Sequence, residues 1–236
     1  MIDLKYVDNL LHHKVTRPLS SVFLNWRFPS YAHSIFQASD ISICADGGAN
    51  RLLQVLNAKG DPAAPSHVVG DLDSLDQTTL DDLKARGSTI NRVKAQDDND
   101  FAKSLTFLAR HISPRTRPLV AVVGASGGRL DHTLANISTA ASSPFDPSTV
   151  HMFSEDEVTL VLPPGVNKII LPDCARSLGI LPVFGPSVVS TSGFQWDVSG
   201  VEMAMGGFIS SSNKAVRRDV VVKNSRPVCF TACLSE

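Results

Sequence analysis

The spacing of apolar residues changes character once along this 236-residue chain, and that change limits the folds open to it. Up to about residue 145, short apolar runs alternate with stretches whose apolar residues recur at helical spacing. The runs are 21–26 (SVFLNW), 41–46 (ISICAD), 67–71 (HVVGD), 88–93 (STINRV) and 118–124 (PLVAVVG). Helix-like stretches lie between them at 50–56, 77–86, 100–112 and 130–140, the third with Phe101, Leu105 and Leu108 on one face. Such alternation predicts an α/β fold with a mainly parallel sheet covered by helices on both sides. Past Ser142-Ser143-Pro144-Phe145-Asp146-Pro147 only strand-like runs remain, among them VHMF, EVTLVLP, LGILPVF, DVVVK and VCFTAC, cut by Pro and Gly. An α/β domain over 1–147 and a smaller all-β domain over 148–236 are expected.

Composition removes several function classes. A net charge of −1, from 22 Lys+Arg against 23 Asp+Glu, supplies no global field to recruit nucleic acid or an anionic membrane, so any anionic ligand must be held locally. The longest apolar stretch, Leu119 to Ala125, falls short of the roughly 20 residues of a membrane span. The opening MIDLKYVDNLLHHK is too charged for a secretory signal, and a cytoplasmic protein is expected. Four cysteines without a CxxC pair exclude a disulfide framework or a Cys-rich zinc site. The acidic residues are lopsided: 19 Asp against 4 Glu, with 15 of the aspartates before residue 150. Asp favours caps, turns and short-reach metal sites, so the N-terminal part uses short carboxylates for something.

In a parallel α/β sheet, ligands bind at the carboxyl ends of the strands. The residues closing the apolar runs are therefore the candidates. GDLDSL (Gly70 to Leu75) sets Asp71 and Asp73 at i and i+2 after a strand, able to face a common point, and hard oxygen ligands of this kind suit Mg²⁺. The competing reading is a capped turn, with Asp73 or Ser74 as N-cap of the next helix. QDDNDFAKSL (Gln96 to Leu105) crowds Asp97, Asp98 and Asp100 at a helix start, more carboxylates than a cap requires, although Asn99 or Asp98 would serve as cap. Lys103, one turn on, has two readings: a phosphate ligand, or a partner of Asn99 and Asp100.

Two further turns carry glycine. ADGGANRL (Ala45 to Leu52) holds Asp46, Gly47 and Asn50, and GASGGRLDH (Gly124 to His132) presents backbone N–H groups at a helix start, an anion cradle to which Arg129 adds charge. Neither a Walker A loop nor a GxGxxG occurs. Gly124-Ala125-Ser126-Gly127-Gly128 does fit the G-x-S-x-G elbow of serine hydrolases, a rival enzyme reading. It requires a downstream histidine, and after Ser126 only His132, in the same turn, and His151, at the domain junction, remain. In the β part, Trp196 and the tract Ser210 to Asn213 stand out, with core filling and a plain loop as the competing readings.

Taken together, ADGGANRL, GDLDSL, DDNDFAKSL and GASGGRLDHTLANI, in this order and spacing, resemble the eukaryotic type of thiamine pyrophosphokinase (thiamin diphosphokinase) family, and the resemblance continues through EVTLVLPPG, STSGFQWDV and GFISSSN. It covers about Val22 to Asn213. It implies a C-terminal β-sandwich, a homodimer with active sites between subunits, and a Mg²⁺-dependent reaction of ATP with thiamine that yields AMP and thiamine diphosphate. Carried over position by position, it implies Asp71, Asp73 and Asp100 as metal ligands and, with Asp131, as catalytic residues. Asp46, Gly47, Asn50, Asp97, Lys103 and the Ser126, Gly127, Gly128, Arg129 turn would surround ATP. Trp196, Ser212 and Asn213 would contact thiamine. The chain departs from the family's Asp-x-Thr-Asp by carrying Asn99, which keeps a capping oxygen and lacks the hydroxyl. A thiamine- or nucleotide-binding regulator without catalysis is the reading from another class, and the retained carboxylates weigh against it.

Overall fold

The computed structural model describes residues 1–12, 19–94, 98–112 and 119–234. The chain enters through β1 (Ile2–Asp3) and α1 (Tyr6–Leu11), then runs β2 (Leu19–Phe23), α2 (Ala32–Gln37), β3 (Ser39–Ala45), α3 (Gly48–Ala58), β4 (His67–Gly70) and α4 (Gln77–Ala85). It continues through β5 (Thr89–Arg92), α5 (Asp100–His111), β6 (Leu119–Val123) and α6 (Leu130–Ala141). After a short 3-10 turn come β7 (Val150–Phe153), β8 (Glu157–Leu162), β9 (Gly165–Ile170), β10 (Ser177–Leu181) and β11 (Ser187–Ser192). The chain closes with β12 (Val201–Met203), β13 (Ser210–Asn213), β14 (Asp219–Asn224) and β15 (Val228–Cys233).

The α-helices thus precede a β-only half, as the apolar spacing predicts, although the first strand of that half, β7, still pairs parallel with β6. The helices α1 and α2, which that spacing did not mark, are both only 6 residues long. SVFLNW is strand only through Phe23, and Asn25 and Trp26 lie in the loop beyond it.

Strand pairing joins the two halves more closely than hydropathy reveals. One ten-stranded sheet runs β13-β10-β15-β8-β7-β6-β2-β3-β4-β5, and a second runs β1-β9-β14-β11-β12. From β5 to β7 every pairing in the large sheet is parallel. From β7 to β13 every pairing is antiparallel. The antiparallel end of the large sheet is one layer of the sandwich and the five-stranded sheet is the other. The first residues return to the second layer, where Ile2 and Asp3 pair with Ile169 and Ile170 of β9.

Alternation along the parallel strands distributes their side chains to two helical layers. On one side Phe23, Cys44, Val68, Ala121 and Val123 pack in a cluster with Ile35 of α2 and Leu52 and Leu56 of α3. That cluster extends without a break into Leu160, Val222 and Phe230 of the sandwich. On the other side Val22, Ile43, Val69, Val120 and Val122 meet Phe101, Leu105 and Leu108 of α5 and Ile137 of α6. The helical stripe of Phe101, Leu105 and Leu108 is therefore the buried face of α5.

The order β6-β2-β3 places a reversal between β2 and β6. After β2 the chain moves outward through β3, β4 and β5, then returns to the other side of β2 as β6. The carboxyl ends of neighbouring β2 and β6 diverge into loops on opposite sides, and the crevice between them is where such sheets take ligands.

On the other side of β6 from β2, α1 is tied to β7 at the junction between the halves. Tyr6 donates its hydroxyl to His151 Nδ1 at 2.6 Å, and His151 Nε2 donates to the carbonyl of Ser148 at 3.0 Å. Tyr6 and His151 are both buried, so Tyr6→Phe leaves Nδ1 without its donor at nearly constant packing. A loss of about 1–3 kcal/mol is expected in urea unfolding. An unchanged midpoint would show that the bond contributes nothing.

Candidate active site

Three turns at the carboxyl ends of β3, β4 and β6 meet the start of α5 at the crevice. The first begins with Asp46, which directly follows β3 in a left-handed conformation at φ 44°. Its side chain is turned inward and the residue is only 3% exposed. The Ser74 amide donates to Asp46 Oδ2 at 3.1 Å, whereas Oδ1 has no hydrogen-bond partner. Burial and the neighbouring carboxylates of Asp73 and Asp100 push its acidity to about pKa 6, against the opposing hydrogen bond from Ser74.

The second turn follows β4. Gly70 lies against Asp46, and a Cβ there would stand 2.9 Å from the Asp46 Cβ, so glycine is what lets the two strand ends approach. Beyond it Asp71 and Asp73 flank Leu72, which is left-handed at φ 67°. Asp46, Asp71 and Asp73 each offer an oxygen, and these atoms lie within 4.8 Å of one another. The hydroxyl of Ser74 donates to Asp73 Oδ1 at 3.0 Å, and that bond above all lowers the pKa of Asp73. The cap reading of this turn does not hold: the residue preceding α4 is Asp76, and neither Asp73 nor Ser74 caps the helix.

Asn50 brackets the same turn. Its amide donates to the Ser74 carbonyl at 2.9 Å and accepts from the Asp76 amide at 3.1 Å. Both ends of this side chain are spent holding the carboxylate loop.

At the start of α5, Asn99 caps the helix by accepting from the Ala102 amide at 2.8 Å. Its amide nitrogen donates to Thr139 Oγ1 at 2.9 Å, fastening α5 to α6. Asp100 accepts from Lys103 Nζ at 3.0 Å. Lys103 is 7% exposed; burial opposes its charge, and Asp100, Asp71 and Asp46 together outweigh that and raise its pKa. The ion pair of Lys103 with Asp100 is present, and the charge serves the whole acidic group. The sequence reading grouped Asp100 with Asp71 and Asp73, whereas the carboxylates drawn together here are those of Asp46, Asp71 and Asp73. Asp97 lies outside the described residues.

The third turn, between β6 and α6, carries Ser126, Gly127, Gly128 and Arg129. Arg129 donates through Nε and a terminal nitrogen to the two oxygens of Asp131, the first at 3.1 Å, and both residues are exposed. The Arg129 hydrogen bonds hold Asp131 below the ordinary carboxylate range. A cleft of about 440 Å³ opens between this turn and the loop after β2, and its lining runs from Leu24 to Asn136. Trp26 borders it and was missed in the sequence, as was Asp46 as a partner of the Asp71 and Asp73 carboxylates.

The hydrolase elbow finds no support in this geometry. The residues of the turn with left-handed backbone are Gly124 and Gly127, where an elbow would place the serine. His151, one of the two downstream histidines, is engaged by Tyr6 and Ser148.

Trp196, Ser212 and Asn213 lie together on the sandwich, and none lines the cleft. Trp196 is 57% exposed, which removes the core-filling reading. Asn213, 4% exposed, accepts from the Trp196 amide at 3.2 Å and donates to the Trp196 carbonyl at 3.0 Å, so it clamps the backbone that presents the indole. Ser212 is left-handed at φ 54°. Among the described residues, Asp46, Leu72 and Ser212 are the non-glycine residues with such backbone, each costing about 1–3 kcal/mol, and all three fall in the motifs singled out by sequence.

The carboxylate group fits a divalent cation. Three short acids with one orphaned oxygen and a mutual repulsion gain most from a small, hard cation that prefers oxygen ligands. Among the described residues no helix is long and apolar enough to cross a membrane.

Comparison with known proteins bears on the same residues. A family model for the catalytic domain of thiamin pyrophosphokinase matches residues 32–152, and one for its vitamin B1 binding domain matches 167–229. Thiamine pyrophosphokinase 3 of Oryza sativa subsp. japonica is 30% identical over 217 residues, covering 84% of this chain and 80% of its own. Thiamine pyrophosphokinase 1 of Arabidopsis thaliana is 29% identical over 236 residues, covering 91% and 86%. The solved thiamin pyrophosphokinase from Candida albicans shares the fold with a TM-score of 0.84 at 22% identity, over 99% of this chain and 93% of that one.

The raised pKa of Asp46 has a measurable consequence. With a folded value of about 6 above the ordinary carboxylate value, the folded chain binds more protons than the unfolded one between about pH 4 and pH 6, so this group's contribution to stability falls as pH rises through that window. A divalent cation held by these carboxylates would take the place of the proton. The rise in melting temperature on adding Mg²⁺ alone should be larger at about pH 7.5 than at about pH 5, and Asp46→Asn should abolish the difference. Equal shifts at both pH values in the parent chain would contradict the cation assignment.

Proposed function

The chain belongs to the thiamin pyrophosphokinase family, and from that premise we propose that it transfers the pyrophosphoryl group of ATP to the hydroxyl of thiamine, releasing AMP. The observation that carries this reading is the convergence of Asp46, Asp71 and Asp73 next to a cleft that Ala45, Ser74 and Asp100 share with the glycine-rich start of α6. That pairing of hard anionic ligands with an anion cradle suits a metal-bound polyphosphate.

In this proposal Asp46, Asp71 and Asp73 hold Mg²⁺, with Asp100 beside them, and the metal supplies charge neutralisation and orientation for the triphosphate. The Ser126 to Arg129 turn binds phosphate oxygens through backbone N–H groups and the guanidinium. Gly47, Lys103 and Asp97 belong to the same ATP side, and Asn50 acts there through the loop it brackets. The thiamine hydroxyl oxygen forms a bond to the β-phosphorus as the bond from that phosphorus to the α–β bridging oxygen breaks. The hydroxyl proton leaves to a carboxylate, with Asp100, which lines the cleft, and Asp131, paired with Arg129 at its edge, as the two candidates, and AMP departs with the bridging oxygen. Positioning of the three atoms in line accounts for much of the rate.

Trp196, Ser212 and Asn213 are proposed for the thiamine side, the indole face suiting a flat, partly cationic heterocycle. Their position outside the cleft of their own chain supports a homodimer whose sites join the α/β domain (1–147) of one subunit to the sandwich domain (148–236) of the other. Exposed Trp196, Met205, Phe208 and Val216 on the sandwich support a covering partner. The cytoplasmic location expected from sequence belongs to this proposal as well.

Complementation tests both the chemistry and the shared site. Asp73→Asn and Trp196→Ala alter exposed side chains, so both variants should melt close to the parent and each alone should make little AMP from ATP and thiamine. Co-refolded, they should recover activity, because in a mixed dimer one site collects both lesions and the other neither. Random pairing leaves roughly a quarter of all sites intact. Recovery no greater than the sum of the separate variants, with subunit exchange verified by mass-tagged chains, would eliminate the shared site. Near-parent AMP formation by Asp73→Asn alone would eliminate the metal assignment.

A further inference from the structure

The loop after β2 carries a feature that the motifs above do not use. The indole of Trp26 lies against the glycine-rich turn so closely that a Cβ on Gly128 would stand 2.5 Å from its Cε2. Trp26 Nε1 is buried and has no hydrogen-bond partner. It lies beside the same turn, 3.9 Å from the point that a Cβ on Gly127 would occupy. A buried N–H without an acceptor is costly, and the two orphaned buried side-chain atoms among the described residues, Trp26 Nε1 and Asp46 Oδ1, belong to residues of this one site. The second is accounted for by a cation, and the first asks for an acceptor.

We propose that Trp26 is a further phosphate-binding residue of the nucleotide site, whose Nε1–H donates to a phosphate oxygen of the bound triphosphate as the Gly127-Gly128 turn rearranges around it. This deepens the proposed function and rests on it. The acceptor is assigned to phosphate because the turn that covers the indole nitrogen is the one whose backbone N–H groups open an anion cradle at the start of α6. Paired glycines allow that backbone to move at little steric cost. The Arg27 guanidinium, 5.9 Å from the indole centroid, brings positive charge to the same loop. The loop itself is anchored: Asn25 accepts from Arg51 Nε at 2.9 Å, and Glu155 accepts from the Ser30 amide and hydroxyl, both at 2.6 Å.

Trp26→Phe keeps an aromatic ring and deletes the donor. Calorimetric titration with ATP and with inorganic tripolyphosphate, each with Mg²⁺, should show both ligands bound about tenfold or more weakly, the scale of a hydrogen bond to a charged group. The melting temperature of the ligand-free variant should be unchanged or higher, since an unsatisfied buried donor has been removed. A purely packing role for Trp26 would lower it. Loss confined to ATP, with tripolyphosphate unaffected, would overturn the phosphate assignment, and equal affinity of parent and variant for both would overturn the proposal. Failure of the functional reading looks different, because the parent chain itself would then neither bind ATP nor form AMP. Should Trp26→Phe not fold, the ¹⁵N–¹H signal of the Trp26 indole in the parent chain serves instead: it should move on saturation with Mg²⁺ and tripolyphosphate, and an unmoved signal overturns the proposal.

Discussion

Crowding of negative charge at the ends of β3 and β4 is the constraint around which the site is built. Asp46, Asp71 and Asp73 repel one another, and a folded chain tolerates them together only with compensation. Part of it is local: the Ser74 amide and hydroxyl donate to Asp46 and Asp73, and Lys103 sets a buried ammonium near Asp100, Asp71 and Asp46. The raised pKa of Asp46 and its unpaired oxygen show that this compensation is incomplete. A site left short of positive charge is prepared for a cation and for the polyphosphate that arrives with it.

The fold supplies the approach distances. Parallel pairing of β3 with β4 aligns Ala45 with Val69, so the residues that follow each strand are neighbours before any side chain is considered. Gly70 removes the atom that would hold them apart, and left-handed Asp46 and Leu72 turn the carboxylates toward one another. Asn50 then fixes the loop from below. The local backbone cost is sustained by a core that runs without interruption from α2 and α3 into the sandwich, because β7 and β8 continue the same sheet.

Much of this was legible in the chain, and what was not has identifiable causes. Asp71 and Asp73 follow an apolar run at i and i+2, a spacing that survives folding unchanged. Asp46 lies 25 residues upstream of Asp71, and its membership of the group follows from strand order and a left-handed turn, which spacing does not encode. Trp26 closes the first apolar run, and the carboxyl-end rule applied to that run would have flagged it, since it follows the end of β2 by three residues. Asn50 and Asn213 are ligand candidates in the sequence, and the structure adds a use that spacing does not announce, since the amide of each bonds backbone groups. Continuity of the large sheet across residue 147 was invisible to hydropathy, since interstrand hydrogen bonds leave no trace in the apolar pattern.

The most direct test of the account follows phosphorus. With ATP, thiamine and Mg²⁺ as the starting materials, ³¹P resonance spectra of the parent chain's reaction should show AMP and thiamine diphosphate growing in equal amounts, with no growth of ADP. Formation of ADP with a singly phosphorylated thiamine, or of ADP and inorganic phosphate whether or not thiamine is present, would contradict pyrophosphoryl transfer at this site.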